Sequence, residues 1–376
     1  MANRASIKNA VRTLVGRWRR DHIHTVVHSP DGASAFGMIG AIRPRHHFAR
    51  VCFGGRDDFV MRRGMHGAHW PRLAGTLAKR HGLVVISEVE IPGEIRERLL
   101  RVPTFVALTM DLCATEKEFL AGLSSWALRD LRKVRNGGFT FEVLRDASWA
   151  GTFHDHFHRP SVEGRHGDEG YVMPVHELVQ LVTDYGAEFI CVSREGQRVG
   201  ALLAQQEKEG YALRRIGWLE GDPAWPKAGV IGALYSHAMQ RARSLGLRHV
   251  LLGGTPPYVE DGVFQFKMKW GAALDATATV WGDNHLLIDP AHHQTRRILA
   301  ERSFVCRSAS GGFFVVSGRK PSDMRLSAIM ARGLSHWYAL RELPDESAAG
   351  ANLELPPAMR PWFQAEPLAA PPTEIP

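Results

Sequence analysis

Basic side chains gather near the end of one predicted helix, within the stretch LSSWALRDLRKVRNGG, and could bind an anion. They are Arg129, Arg132, Lys133 and Arg135. Cations near the C-terminal end of a helix complement its dipole, which gives the cluster a purely structural explanation. The alternative is a clamp for a phosphorylated substrate or for a tRNA backbone. The residues alone leave both interpretations open.

The stretch VEGRHGDEG places acid–base groups between glycines, and we expect it to form a loop. It holds Glu163, Arg165, His166 and Asp168. An unperturbed histidine titrates near neutral pH, so His166 is a candidate general base, with Glu163 as the second candidate. A solvated polar loop explains the same composition.

Two lysines alternate with aromatic and apolar residues in the stretch FQFKMKWG, which follows the apolar run LLGGT. Residues two apart share a face of an extended segment, as Lys267 and Lys269 would here. The pattern therefore predicts a strand that presents both ammonium groups either to a ligand or to water.

Three histidines, His154, His156 and His158, lie close together in FHDHFHRP. The first and last are four residues apart, so a helix would place them on one face, as zinc ligands require. No third ligand follows at a fixed spacing, and we therefore predict no metal site.

Helices and strands alternate through most of the chain, which predicts a mixed α/β fold. We predict strands at 49–53, 83–91, 104–112, 139–144, 188–193, 199–206, 211–219 and 247–254. We predict helices at 69–81, 116–135, 149–158, 175–185 and 230–245, the second opened by a capping box of Thr115 and Glu118. The stretches LAKRHGLVVIS and RARSLGLRHVLLG share a basic helix end, a glycine and a buried strand, which hints at two similar halves.

Composition excludes several classes of protein. With 44% hydrophobic and 23% charged residues among 376, the chain is typical of folded proteins rather than disordered ones. Its apolar runs fall far short of the roughly 20 residues of a membrane span. Four widely spaced cysteines fit neither a disulfide scaffold nor a cysteine-rich zinc module, and they favour a reducing compartment, so we expect a cytoplasmic protein.

The two ends differ in charge. The net charge is +8, but residues 343–376 carry an acidic excess and eight prolines, which predicts a disordered tail. The remaining chain is strongly basic, which suits partners that carry phosphate. Residues 1–20 hold basic residues and no acid, with Val11, Leu14 and Trp18 at helical spacing. This amphipathic helix would contact either a membrane surface or the protein's own body.

The order of these features resembles the Fem-type and CelD-like branch of the GNAT acyltransferase superfamily. The resemblance runs from about residue 50 to 285. It depends on the basic helix, the Arg165–His166–Gly167 loop, the strand–turn–strand through Glu195–Gly196, the helix ending at Gly246, and the FKxxWG motif from Phe266 to Gly271.

The resemblance implies two GNAT-like halves, each a mixed twisted sheet flanked by helices. We expect a basic segment at 1–20, the first half at 21–112, a connecting helix and strand at 113–145, the transferase half at 146–342 and the tail at 343–376.

The resemblance also implies acyl transfer to an amine, with the acyl thioester lying between two splayed parallel strands, 211–219 and 249–253. Backbone amides there would polarise the carbonyl, and Lys267 would lie near the leaving group. Arg165 would anchor an anionic group. Residues implied to bind the donor are Lys227, Gly229, Gly232, Trp218 and Gly253, and those implied to bind substrate include Trp270, Arg129, Arg132 and Lys133. The spacing of PKAGVIGAL departs from the usual pyrophosphate-binding pattern, which puts the identity of the donor in doubt.

The first expectation is therefore an N-acyltransferase that uses acyl-CoA, with no metal and no DNA partner. The alternatives are an aminoacyl-tRNA-dependent transferase, an enzyme that acylates a lipid amine such as a sphingoid base at the inner membrane face, and a catalytically silent protein of the same fold.

Overall fold

The computed structural model describes residues 23–368, apart from 33, 41–44, 54–57, 66–69, 88, 114, 168–169, 279, 325–331 and 351–353. The predicted amphipathic segment at 1–20 and the last residues of the predicted tail lie outside the described residues. None of the described helices combines the length and the apolar character that spanning a bilayer needs.

Strands in the described part of the chain are numbered in sequence order. They are β1 (Ile23–His28), β2 (Ala35–Gly40), β3 (Val60–Met65), β4 (Leu83–Ser87), β5 (Leu100–Asp111), β6 (Phe139–Leu144), β7 (Glu188–Arg194), β8 (Gln197–Gln206), β9 (Tyr211–Trp218), β10 (His249–Thr255), β11 (Ala273–Leu274), β12 (Val280–Ile288), β13 (Phe304–Arg307), β14 (Phe313–Ser317), β15 (Leu334–Leu340) and β16 (Phe363–Glu366).

Helices alternate with these strands, as the sequence predicted. The α-helices are α1 (Arg45–Cys52), α2 (Trp70–His81), α3 (Gly93–Arg96), α4 (Glu116–Ala121), α5 (Ser125–Asn136), α6 (Ala150–Phe153), α7 (Arg159–His166), α8 (Val175–Thr183), α9 (Ala224–Ala228), α10 (Val230–Ser244), α11 (Gly262–Lys269) and α12 (His293–Glu301). A π-helix, His154–His158, lies between α6 and α7.

The chain divides into two compact units whose segments interleave. The first unit holds the described residues up to Val106, together with Pro256–Gln265 and those from Ala276 onward. The second unit holds Ala107–Thr255 and Phe266–Asp275. The sequence suggested contiguous halves instead, because nothing in it marks the two crossings after Thr255.

The first unit contains a mixed sheet in the order β3-β1-β2-β4-β12-β5, to which β5 contributes its residues before Ala107. Helix α2 covers one face, where Ala74 and Leu77 pack among the buried side chains of β2 and β4. On the other face, Phe36 and Val85 pack with Phe48 of α1.

A second sheet of the first unit has the order β13-β14-β15-β16. Its last strand belongs to the segment predicted to be a disordered tail, so that prediction is wrong for the described residues. Leu355, Met359 and Phe363 are buried in the hydrophobic core, and this apolar burial offsets the poor helix and strand propensity of the proline-rich segment.

The second unit contains the sheet β5-β10-β9-β8-β7-β6, with β11 on the remaining side of β5. Neighbouring strands are antiparallel from β6 to β9, whereas β9 and β10 are parallel. Phe153 of α6, Phe157 of the π-helix and Leu178 of α8 pack against one face. On the other face, α10 approaches so closely that a Cβ at Gly200 would lie 2.4 Å from the Val230 side chain.

Several local predictions are wrong. Residues 49–53 lie mostly in helix α1 rather than in a strand. The long helix predicted at 116–135 is interrupted between Ala121 and Ser125, although Thr115 and Glu118 form the predicted capping box. Ser124 ends the interruption because its hydroxyl accepts a hydrogen bond from the Ala127 amide and thereby starts a new helix.

Candidate functional site

The candidate site is the gap between β9 and β10 in the second unit. The two strands pair only where Tyr211 lies opposite Val250 and Ala212 lies opposite Leu251. Beyond these residues the parallel register ends, although both strands continue. This is the splay that the sequence predicted for strands 211–219 and 249–253.

A β-bulge in β9 accounts for the divergence. Leu213 lies opposite Ala204 of β8 and Arg215 lies opposite Leu203, so Arg214 is an extra residue. A bulge increases the local twist and bends its strand. The bend begins where the pairing with β10 stops, and it therefore separates the backbone of the rest of β9 from β10.

The end of β10 is open and rich in glycine. Gly253 and Gly254 are both exposed, whereas Leu252 and Thr255 on either side are buried. Gly253 has a φ of +69°, a conformation that glycine adopts without the steric cost that a side chain brings. A ligand in the gap can therefore approach this backbone closely.

Lys267 fixes the same end of β10 from inside the protein. Its ammonium group donates hydrogen bonds to the carbonyl oxygens of Gly254, at 2.8 Å, and Gly253, at 3.3 Å. The residue is only 6% exposed. Lys267 thus holds the Gly253–Gly254 backbone in place, and its predicted role at the leaving group stays a prediction.

The segment around Lys267 is helix α11, so the predicted strand is wrong. Two carboxylate hydrogen bonds start the helix, since Asp261 accepts from the amides of Val263 and Phe264. Residues two apart on a helix point in different directions. Lys269 accordingly leaves the face of Lys267 and pairs with Asp130 at 2.5 Å.

Trp270 lies in the core beneath this helix. It is fully buried, with its ring 5.9 Å from that of Tyr235 and 6.4 Å from that of Phe266. The predicted binding role of Trp270 is not tested, but any effect on a substrate must pass through these neighbours.

Helix α7 brings Arg165 to the end of β9. The guanidinium lies 4.4 Å from the centre of the Trp218 ring, within the range of a cation–π contact. Ser161 of the same helix fixes the strand end, because its hydroxyl accepts from the Trp218 amide at 2.9 Å and donates to the Trp218 carbonyl. Two residues that the sequence assigned to separate roles, Arg165 and Trp218, therefore lie together.

The candidate bases lie on α7 as well, and not in the predicted loop. Glu163 is exposed, and its carbonyl accepts a hydrogen bond from the Gly167 amide at the helix end. His166 is the last residue of the helix, and its side chain lies outside the described part of the structure. Their assignment as bases stays a prediction.

The basic cluster of α5 lies beside the start of α10. A Cβ at Gly229, the residue before α10, would lie 3.8 Å from the Cβ of Lys133. Gly232 in the first turn faces Asp130 and Val134. The structure thus joins the predicted anion clamp to the predicted donor-binding glycines.

The remaining members of these two groups are exposed. They are Arg129, Arg132 and Lys133 on α5, Arg135 in its last turn, and Lys227 in the last turn of α9. Gly229 has a φ of +107°, which lets the chain pass from α9 directly into α10.

The three histidines do not converge on a common point. His154 pairs with Asp155 at 2.8 Å and His156 with Glu220 at 2.7 Å. The His158 ring is buried and accepts a hydrogen bond from the Met173 amide at Nε2, so its proton lies on Nδ1, toward the Ile216 carbonyl of β9. Burial lowers the pKa of His158 to about 4, and its role is to join the π-helix to β9. Within the described residues, no group of three or more potential ligands could hold a metal ion.

A cavity of about 420 Å³ opens on the π-helix side of the sheet. His156, Phe157 and Leu219 line it on one side, and an ion pair between Arg198 and Glu142 lines it on the other. Its strand residues come from β6, β7 and β8, so the cavity lies on the side of β9 away from β10.

Two polar side chains near the gap were not predicted from the sequence. Tyr235 lies on the apolar stripe of α10, and burial raises the pKa of its hydroxyl. Its pattern is that of a core residue, so no signal distinguishes it. Arg215 follows the bulge on β9, and only the unusual Arg214–Arg215 pair inside a buried strand pointed to it.

Residues 125–268 match the family described as "Acetyltransferase (GNAT) domain". No curated protein is similar to the chain.

Solved structures with distant similarity include FemX, at 12% identity and a TM-score of 0.40, with coverage of 69% of this chain and 82% of that one. The L-PGS of Bacillus licheniformis has 13% identity and a TM-score of 0.34, with the same coverage of 69% and 82%. A GCN5-related N-acetyltransferase from Sphaerobacter thermophilus has 11% identity and a TM-score of 0.31, with coverage of 74% and 84%. The family match thus covers residues 125–268, less than half of the chain.

Proposed function

We propose that the protein is an N-acyltransferase that moves an acyl group from an acyl thioester, acyl-CoA in the first instance, to a primary amine. The observation that carries this proposal is the gap between β9 and β10. A flat acyl thioester fits between strands that have separated, where backbone amides no longer serve a neighbouring strand.

The gap supplies the electrostatic part of the reaction. Attack by the amine turns the thioester carbonyl into an oxyanion, and fixed backbone N–H groups stabilise that charge without having to reorganise. Lys267 contributes by holding the Gly253–Gly254 backbone. In this proposal it is a positioning residue, and the backbone amide N–H groups of the two strands stabilise the charge.

The donor's phosphates would lie at the start of α10. The first amides of a helix lack partners within the helix and favour an anion. Lys133 lies next to Gly229 there, and Lys227 precedes it. Arg165, stacked on Trp218, lies at the end of β9 and would orient an anionic group near the reacting carbonyl.

The amine must be neutral when it attacks, and a base must take up its proton. Glu163 is exposed on the helix that carries Arg165, and His166 ends that helix. We retain His166 as the first candidate and Glu163 as the second.

Calorimetric titration with CoA, acetyl-CoA and a long-chain acyl-CoA tests the proposal. We expect at least one thioester to bind in the micromolar range and to compete with CoA. If none of the three binds, the protein is not a thioester-dependent transferase.

An aminoacyl-tRNA donor is the second candidate, favoured by one specific observation. Four basic residues of α5 are exposed, and Lys133 among them lies beside the start of α10, so the cluster could contact several phosphates of a tRNA backbone. Filter binding with charged and uncharged tRNA across a salt series tests it, because affinity based on phosphate contacts falls steeply with salt. Acylation of a lipid amine stays a further alternative, which depends on residues 1–20 outside the described part.

A further inference from the structure

Arg215 lies on the part of β9 that has already separated from β10. It is directly opposite Leu203 of β8, and opposite residues in an antiparallel pair point to the same face. Leu203 belongs to the hydrophobic cluster that Phe153 and Leu178 complete. The guanidinium therefore extends along an apolar cluster at the edge of the gap.

Most of the donor groups of Arg215 have no partner among the described residues. A guanidinium has five N–H groups in a rigid fork. One Nη donates to the Arg214 carbonyl at 2.7 Å, while Nε is buried and bonds to no described atom. No described carboxylate forms an ion pair with Arg215.

The surroundings of Arg215 position it without neutralising it. The Tyr171 ring lies 5.5 Å from the guanidinium carbon. Glu177 acts on the guanidinium through its charge but forms no ion pair with it within the described structure, and its carboxylate accepts a hydrogen bond from the Tyr171 hydroxyl at 2.9 Å. Tyr171 is 57% exposed and Arg215 itself is half-buried, so a ligand can reach part of the guanidinium.

The neighbouring Arg214 shows the contrast. Its guanidinium donates two hydrogen bonds to the Gln205 amide oxygen, at 3.0 and 3.1 Å, and pairs with Glu207. Among the described residues, Arg214 thus has partners for most of its guanidinium, whereas Arg215 bonds only to the Arg214 carbonyl. Burying a cation without a partner costs stability, and such a group is retained where an anion completes it.

We propose that Arg215 forms an anion site for the acceptor, so that the amine substrate carries a carboxylate or a phosphate group. This inference rests on the proposed function, in which the amine enters the gap beside β9. The planar fork of arginine binds either anion in a bidentate manner, which would fix the distance between the anionic group and the attacking nitrogen.

Binding of small probes to the full chain tests the site without knowledge of the acceptor. Inorganic phosphate, acetate, phosphoethanolamine and ethanolamine are titrated by calorimetry at constant ionic strength, into the parent, Arg215→Gln and Arg214→Gln. We expect at least one anionic probe to bind the parent and Arg214→Gln equally and to bind Arg215→Gln at least tenfold more weakly. Whether acetate or phosphate binds more tightly identifies the class of anion. Absent binding of all anionic probes, or equal binding by all three proteins, overturns the proposal.

Two further measurements keep the interpretation unambiguous. Without ligand, Arg215→Met should melt at or slightly above the parent temperature, by about 1–2 °C, because an uncompensated charge is removed. A melting temperature several degrees lower would show that Arg215 is a structural residue. Acyl-CoA titrations of the same variants should give one common affinity. A tenfold weaker acyl-CoA affinity in Arg215→Gln assigns the anion to the donor and ends the acceptor proposal, whereas absent acyl-CoA binding in every variant contradicts the proposed function alone.

Discussion

Each unit contains a parallel strand pair that follows a helix and a glycine, and the two pairs differ in how far they stay together. In the first unit, α2 ends before Gly82, and β4 pairs with β2 through four successive residues, up to Gly40 opposite Ser87. In the second unit, α10 ends before Gly246, but β10 pairs with β9 through two residues only. Both glycines have a positive φ, +78° and +72°.

The two parallel pairs differ beyond their first paired residues. The parallel β2–β4 pair is buried along its length and closes tightly, since a Cβ at Gly40 would lie 1.8 Å from the Ser87 carbonyl oxygen. The β9–β10 pair has a bulge at Arg214 and two exposed glycines. A similar helix–glycine–strand arrangement thus contributes to the hydrophobic core in the first unit and borders the gap in the second unit.

Close packing between the two parallel strands should be essential for stability only in the first unit. Gly40→Ala places a methyl group on the Ser87 carbonyl, so the strands must part, and we expect a loss of more than about 3 kcal/mol of unfolding free energy. In Gly253→Ala the new methyl group lies no closer than 3.9 Å to any neighbour, which is the Leu213 carbonyl. Only the strain of the positive φ then lowers the free energy of unfolding, by roughly 1 kcal/mol. Urea denaturation of both variants measures the difference. Equal losses would mean that the second pair is as closed as the first.

Lys267 should matter to the reaction more than its neighbour on the same helix does. We expect Lys267→Ala to lower the rate of acyl transfer by roughly 100-fold, because the Gly253–Gly254 backbone loses its support. The Gly253 and Gly254 carbonyls also lose their charged donor, which should cost about 1–3 kcal/mol of stability. Steady-state rates and melting temperatures are compared with those of Lys269→Ala, which removes the pair with Asp130 and the contact with the Phe266 ring and should keep its rate within about threefold. Equal rates in all three proteins would remove Lys267 from the mechanism.

The sequence predicted what short-range chemistry determines. The capping box at Thr115 and the glycines after α2 and α10 each depend on a few adjacent residues, and the structure contains all of them. The parallel pair of β9 and β10 is a long-range contact, and it was expected only from the resemblance to a known family. The alternation of lysines with apolar residues wrongly predicted a strand at Lys267 and Lys269. Asp261 before this segment and Gly271 after it indicate a helix instead.

Other features depend on contacts that a single sequence does not show. The contact of Lys133 with Gly229 requires α5 to pack on α10, and the position of Arg165 over Trp218 requires α7 to end at β9. The bulge at Arg214 inserts one residue into β9, and only the pairing with β8 reveals which residue is extra. The predicted disorder of the tail failed because tertiary burial of Phe363 overrides local propensity.

His158 should make stability depend on pH, because it ties the π-helix to the diverging part of β9. Its pKa is about 4 in the folded protein, against about 6.5 unfolded, so the unfolded state binds the proton first as the pH falls. Its contribution is complete above pH 6.5 and declines below it, by roughly 2 kcal/mol at pH 5. Urea denaturation of the parent and His158→Gln at several values between pH 7 and 5 measures this. The variant should be less stable at pH 7 and lose less on acidification; parallel curves would assign the acid sensitivity to other groups.

The smallest expected effect concerns anion binding at the N-terminal end of α10, which differs from the corresponding end of α2 in the first unit. Helix α2 starts with Trp70, which is buried, and Pro71, which has no N–H to offer an anion. Helix α10 starts with Val230–Ile231–Gly232, whose amides are all present, and Lys133 lies beside it.

We therefore expect Lys133→Gln to weaken acyl-CoA binding about three- to fivefold and to reduce its salt dependence, because one partly screened cation near a phosphate is worth about 1 kcal/mol or less. Arg135→Gln, two residues farther along α5 and on another side of the helix, should change the affinity less than twofold. Calorimetry at two salt concentrations compares the variants, and equal affinities for the parent and Lys133→Gln would place the donor's phosphates away from the start of α10.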